Sequence, residues 1–226
     1  MYRLAIFDFD GTLADSADWF VQTLNAAAAR FGYRRLAEDE LESLRGLPTA
    51  DVVRRLGVPL WRMPAIARHF RAEAANNLQR IDLFPGARTT LRSLSSAGIE
   101  IAIVSSNAES NIRAVLGSVD SDLVTRFACG SSLFGKAAKL RRLLRTTGVS
   151  PSDAIAIGDE TRDIDAAKAV GIAAGAVTWG YATPAALVLS QPDFIFDSFA
   201  ALVAALGGSE CEAGSGLSAA VVRSAK

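Results

Sequence analysis

The sequence predicts an α/β fold: a Rossmann-like parallel sheet flanked by helices, with a small all-helical insertion after the first strand. Short apolar runs at 4–7, 99–104, 154–157 and 172–177 alternate with stretches of helical periodicity. Strands that are apolar on both faces belong in parallel sheets covered by helices on both sides. In addition, three of the polar clusters in the chain follow apolar runs directly: Asp8-Phe9-Asp10-Gly11-Thr12, Ser105-Ser106-Asn107 and Gly158-Asp159-Glu160-Thr161-Arg162-Asp163. In a parallel sheet all three emerge at the carboxyl edge, where ligands bind in such folds.

The elements follow in order. The first strand, 4–7, ends at Asp8, and Gly11 permits a tight turn. From residue 15 to 83 the chain is rich in Ala, Leu, Arg and Glu with apolar residues at helical spacing. Trp19, Phe20, Thr23, Leu24 and Ala27 share a face and Gly32 reads as a helix stop. Further short helices are predicted near 41–44, 52–56 and 66–70, punctuated by Gly46-Leu47-Pro48, Gly57-Val58-Pro59 and Met63-Pro64. Leu83-Phe84-Pro85-Gly86 reads as the return linker. Beyond it, helices are predicted at 87–97, 109–116, 136–147, 161–170 and 199–206, and strands at 99–104, 125–129, 154–157, 172–177 and 194–196. The expected organisation is a core of 1–14 and 84–206, a helical insertion of 15–83, and a disordered tail of 207–226 rich in Gly, Ser and Ala.

Composition narrows the function classes. Lys plus Arg equals Asp plus Glu at 24 each, which argues against a broad basic surface, so no nucleic-acid partner is expected. The apolar runs are too short to span a membrane, and the two cysteines, Cys129 and Cys211, have no metal-like spacing. A cytoplasmic protein, monomeric or homodimeric, is expected. The only histidine, His69, falls in the helical insertion and is read as a structural residue.

Asp8, Asp10 and Asp159 make a site of hard oxygen donors without sulfur or imidazole, which favours magnesium over zinc. On an extended backbone Asp8 and Asp10 would project to the same side and repel unless a cation intervened. Ser105 and the amides after it, with Ser106 and Asn107, could donate to a phosphate. Lys136, at a helix start, could offset the accumulated negative charge, with Lys139 a competitor one turn on. Arg45 in the insertion could reach a substrate. Trp179-Gly180-Tyr181 reads as core packing or a loop anchor.

These residues resemble the haloacid dehalogenase-like superfamily, in its phosphoglycolate phosphatase-like branch. The matching elements are Asp8-Phe9-Asp10-Gly11-Thr12-Leu13, Val104-Ser105-Ser106-Asn107, Lys136 and the Gly158 to Asp163 motif. The resemblance implies a helical cap over 15–83 and a phosphatase acting on a small phosphorylated metabolite. It implies Asp8 as nucleophile and Asp10 as acid/base. It also implies magnesium held by Asp8, the Asp10 carbonyl and Asp159, with Asp163 orienting the metal's water. Ser105 and Lys136 would hold the phosphoryl group, with Gly11, Thr12, Ser106, Asn107 and Arg45 around it. Family dehalogenases carry an aromatic residue where Asp10 stands, so Asp10 points to oxygen esters. A sugar phosphomutase of the same fold and a silent phosphate-binding module remain as alternatives.

Overall fold

The computed structural model describes residues 2–130, 135–207 and 221–223 of the chain. Strand β1 (Leu4–Phe7) is followed by a two-residue strand β2 (Ala14–Asp15). Four helices come next: α1 (Ala17–Phe31), α2 (Leu41–Arg45), α3 (Thr49–Arg55) and α4 (Met63–Asn76). Strand β3 (Asp82–Leu83) brings the chain back by pairing antiparallel with β2. The alternation expected from the sequence then runs through α5 (Ala87–Ser96), β4 (Glu100–Val104), α6 (Glu109–Ser121), β5 (Val124–Ala128) and α7 (Lys136–Thr147). It continues through β6 (Ala154–Gly158), α8 (Thr161–Lys168), β7 (Ala173–Val177), α9 (Pro184–Leu189), β8 (Phe194–Phe196) and α10 (Phe199–Leu206).

The sheet order is β5-β4-β1-β6-β7-β8, all parallel, with β9 (Val221–Arg223) added antiparallel on β8. The last strand corrects the reading of 207–226 as wholly disordered; the rest of that tail lies outside the described residues. Side-chain alternation divides the sheet's contacts cleanly. Ala5, Phe7, Ile101, Ile103, Ile155 and Ile157 pack toward α5, α6 and α10, whereas Leu4, Ile6, Ala102, Val104, Ala154 and Ala156 pack toward α7 and α8. Both faces are therefore buried, which is why these strands read as continuous apolar runs.

Other differences have local causes. The β2–β3 pair and α9 escaped the sequence reading, since two-residue strands and a six-residue helix carry no usable periodicity. In α6, the expected end at Leu116 is a break at Gly117, after which a further turn runs to Ser121. Phe20, grouped by spacing with the buried face of α1, is 39% exposed. Among the described residues no helix is long and apolar enough to cross a membrane.

The α5–α6 contact holds one buried charge. Asp120 is 1% exposed, and accepts from Arg88 and, at 2.9 Å, from Arg92. Burial pushes its carboxyl up, but the two guanidinium groups outweigh that and hold it below the usual range. A depressed carboxyl contributes stability above its unfolded value and loses that contribution as pH falls through its folded value. Asp120→Ala is expected to cost about 1–2 kcal/mol near neutral pH. In thermal denaturation, the gap between wild type and variant should shrink once pH falls below about 4.

Candidate active site

The three polar clusters do meet. β1 lies between β4 and β6, with Phe7 level with Ile103 and with Ile157. This register puts Asp8, Ser105 and Asp159 at one edge of the sheet, and the Asp8 amide donates to the Ile157 carbonyl at 2.8 Å. Asp8, Asp159 and Asp163 each offer a carboxylate oxygen, and these oxygens lie within 4.8 Å of one another. All three residues are buried. Such a cluster of hard donors fits a divalent cation that prefers oxygen.

Each carboxylate is fixed from several sides. Asp8 accepts from the Phe9 amide at 2.7 Å. Asp159 accepts from the Thr12 hydroxyl at 2.8 Å and from the Tyr181 amide at 2.8 Å. Asp163 accepts from the Glu160 amide at 3.1 Å in the capping box that opens α8. The backbone must also stay clear of these groups. A Cβ on Gly11 (φ +78°) would lie 2.2 Å from Oδ2 of Asp159, and one on Gly180 would lie 2.2 Å from Cβ of Asp159.

Lys136 supplies the opposing charge. Its ammonium is 2.7 Å from Asp8 Oδ2 and 2.5 Å from Asp163 Oδ1. Lys139 instead donates to the Ser105 carbonyl at 2.8 Å and to the Ala128 carbonyl, bracing the ends of β4 and β5. The geometry thus separates the two lysines that the sequence left in competition. Burial pushes the Asp8 carboxyl up, with Lys136 opposing. Asp159 is pushed well up by burial and then by Glu160, Asp163 and Asp8. Asp163 is also penalised by burial, but Lys136 and Arg162 hold it below the usual range.

Asp10 is placed differently from the expectation. The chain does not stay extended after Phe7: Leu13 and Ala14 amides both donate to the Phe9 carbonyl at 2.9 Å, closing a tight loop. The Asp10 carboxylate stands outside the acidic cluster. It accepts from the Ser16 hydroxyl at 3.1 Å and faces the Asn107 amide nitrogen at 3.4 Å. Burial, and next the Asp8 charge, raise it to about 6. Ser105 is 2% exposed, and its oxygen accepts from the Asn107 amide at 3.0 Å, leaving its hydroxyl proton to be donated elsewhere. Asn107 in turn accepts from the Ala108 amide at 2.8 Å and from Asn111 at 3.0 Å.

Two expected substrate contacts have other partners here. Thr12 is fully buried on Asp159. Arg45 donates to the Tyr181 carbonyl at 2.9 Å and the Gly180 carbonyl at 3.0 Å, and pairs with Glu42 at 3.0 Å. It ties α2 to the loop after β7. Trp179 does anchor it, through the Thr12 carbonyl at 3.0 Å and a tilted ring contact with Phe199. Tyr181, however, reaches Ser16 at 2.7 Å and completes a Tyr181–Ser16–Asp10 chain. Arg162, ion-paired with Glu160, is a second residue without an assigned role in the sequence reading. His69 packs on Phe31 in the helical segment, as expected.

A parallel sheet with this strand order and an acidic cluster at its carboxyl edge defines a Rossmann-like α/β fold with a candidate catalytic centre. The chain belongs to the haloacid dehalogenase-like hydrolases, matching that family over residues 5–177. The phosphoglycolate phosphatase of Synechococcus elongatus is 35% identical over 194 residues, spanning 85% of this chain and 92% of that protein. The phosphoglycolate phosphatase of Agrobacterium fabrum is 33% identical over 226 residues, spanning 90% and 91%. A solved haloacid dehalogenase-like family hydrolase from Streptococcus pneumoniae shares the fold, with a TM-score of 0.74 at 23% identity over 90% of this chain and 98% of that one.

The glycine clearances are testable by calorimetric melting. Gly180→Ala forces its new methyl against the fully buried Asp159 and should cost about 2–3 kcal/mol. Gly46→Ala, where a Cβ meets nothing nearer than 3.7 Å, should change stability by under about 0.5 kcal/mol. Equal melting of the two variants would contradict the crowding described.

Proposed function

We propose that the chain is a magnesium-dependent phosphohydrolase that cleaves a small organic phosphate monoester through a phosphoryl-Asp8 intermediate. The observation that carries this reading is the pairing of unlike carboxyl groups. Asp8 lies in the acidic cluster against Lys136, while Asp10, two residues on, has a separate environment that lifts it to about 6. The names of the two relatives support a phosphomonoester as the substrate class.

In this reading a carboxylate oxygen of Asp8 attacks phosphorus and the ester P–O bond breaks. Asp10, protonated at the start, gives its proton to the departing alkoxide. The Asp10 carboxylate then takes a proton from the water that attacks the phosphorus of the acyl phosphate, which frees Asp8 and releases phosphate. Ser16 and Asn107 hold the Asp10 carboxyl in place, and the Tyr181 hydroxyl braces Ser16. Ser105 and Lys136 hold the phosphoryl oxygens, the lysine countering their charge. A divalent cation at Asp8, Asp159 and Asp163, with the Asp10 carbonyl, would neutralise carboxylate and phosphate charge together; oxygen-only donors suit magnesium.

Residues 15–83 act as a cap over a core of 1–14 and 84–206. Supporting this, the β2–β3 pair joins entry and exit, and Phe84 donates to the Leu13 carbonyl at 2.9 Å. Three cap side chains also face the strand edge: Thr49 on Glu160 at 2.8 Å, Arg45 on the Gly180 and Tyr181 carbonyls, and Arg71 near the Ser106 carbonyl at 3.5 Å. The commitment of Arg45 weighs against a second phosphate site there, and so for water over a sugar phosphate as acceptor.

Magnesium-dependent release of phosphate from an aryl phosphate is the expected activity, lost with chelator and restored by added magnesium. Asp8→Asn should lower kcat by at least about a thousandfold with the melting profile retained. Undiminished turnover in that variant would rule out the covalent route.

A further inference from the structure

A cavity of about 280 Å³ begins at Asp10, Ser106, Asn107 and Arg162 and runs into the helical segment. Its inner wall is apolar, formed by side chains such as Leu24, Val52, Leu56, Val58, Met63 and Ile66. Phe20 stands in its wall between Phe70, at 5.2 Å between ring centroids, and Tyr181, at 5.8 Å. This accounts for the exposure of Phe20: its ring faces the cavity and not the core. The charged groups on the wall are Asp10, Arg45, Arg71, Glu160 and Arg162. Each contacts the strand-edge loops or lies on them. Arg45 bonds the Gly180 and Tyr181 carbonyls, Arg71 approaches the Ser106 carbonyl, and Glu160 pairs with Arg162 and accepts from Thr49. The deeper volume has no charged partner among the described residues.

We infer that the substrate's leaving group is a predominantly apolar alcohol, aryl or alkyl, of more than a few carbons. The inference rests on the phosphatase reading and narrows its substrate class. Well-packed interiors leave few voids larger than a water molecule, so a volume of this size opening at the reacting carboxyl is a binding space. A two-carbon group would leave most of it unfilled, and water placed there would find few polar partners. Beyond the mouth, where Arg71 and Arg162 stand, a carboxylate would be desolvated without a counter-charge, whereas each buried methylene is favourable.

The test is a series of n-alkyl phosphates from ethyl to octyl, with naphthyl phosphate and 2-phosphoglycolate, run with the wild-type chain and magnesium. Expected is a rise in kcat/KM of about threefold to fourfold per methylene until the cavity fills, with naphthyl phosphate at least tenfold above 2-phosphoglycolate. Ala67→Phe, which builds a ring into the wall, should abolish the length dependence; circular dichroism and melting establish that it folds. Calorimetric binding of n-alkylphosphonates and phosphonoacetate to the wild-type chain reads the cavity without turnover. Length-dependent affinity in the absence of hydrolysis would defeat the phosphatase reading and overturn the inference with it, since no group would then depart. Hydrolysis with a flat length profile, or with 2-phosphoglycolate preferred, would overturn the inference and leave the phosphatase reading standing. Absence of both turnover and length-dependent binding would overturn it as well.

Discussion

Three carboxylates buried within one small volume at the end of a strand are the constraint on which the rest of this structure depends. Desolvation and mutual repulsion both oppose their ionisation, and the surrounding chain is arranged in answer. Lys136 opens α7 so that its ammonium lies between Asp8 and Asp163. Arg162 adds a second positive charge from the first turn of α8. Thr12 and the Tyr181 amide satisfy Asp159, and Gly11 and Gly180 carry no Cβ because one would collide with it. Parallel order does the remaining work: with β1 between β4 and β6, residues far apart in sequence share one edge.

The same crowding explains why Asp8 and Asp10 differ. Had the strand continued, both carboxylates would have pointed into one space. The tight loop closed on the Phe9 carbonyl turns Asp10 toward Ser16 and Asn107, so that one acid sits in the cluster and the other apart from it. Two carboxyl groups with different environments can take different roles, and burial beside a neighbouring negative charge favours the protonated form of the second.

Much of this was legible in the sequence. The apolar runs at 4–7, 99–104 and 154–157 gave the parallel sheet because strands buried on both faces must be apolar throughout. The residues that follow them gave the cluster, since parallel strands deliver their ends to one edge. What escaped was whatever depends on contacts between distant loops. Tyr181 and Gly180 look like ordinary loop residues until Asp159 is seen against them. Ser16 reads as a helix start and not as the bridge from Tyr181 to Asp10. Arg45 has the composition of a ligand contact, yet its partners are carbonyls 135 and 136 residues away. Lys136 and Lys139 lie a turn apart, and only the packing of α7 against β4 and β5 decides which one faces the carboxylates.

The helical segment lines most of the cavity, and the strand-edge loops line its mouth at Asp10. A trapping experiment tests Asp8 as the phosphoryl acceptor. The chain would be mixed with a phosphate ester and magnesium, acid-quenched within the first turnover, reduced with borohydride and digested for peptide mass spectrometry. A phosphoryl-Asp8 intermediate would be reduced to homoserine at position 8, and nowhere else. An unmodified Asp8 peptide from a turning-over sample, or reduction at a different carboxylate, would contradict the account.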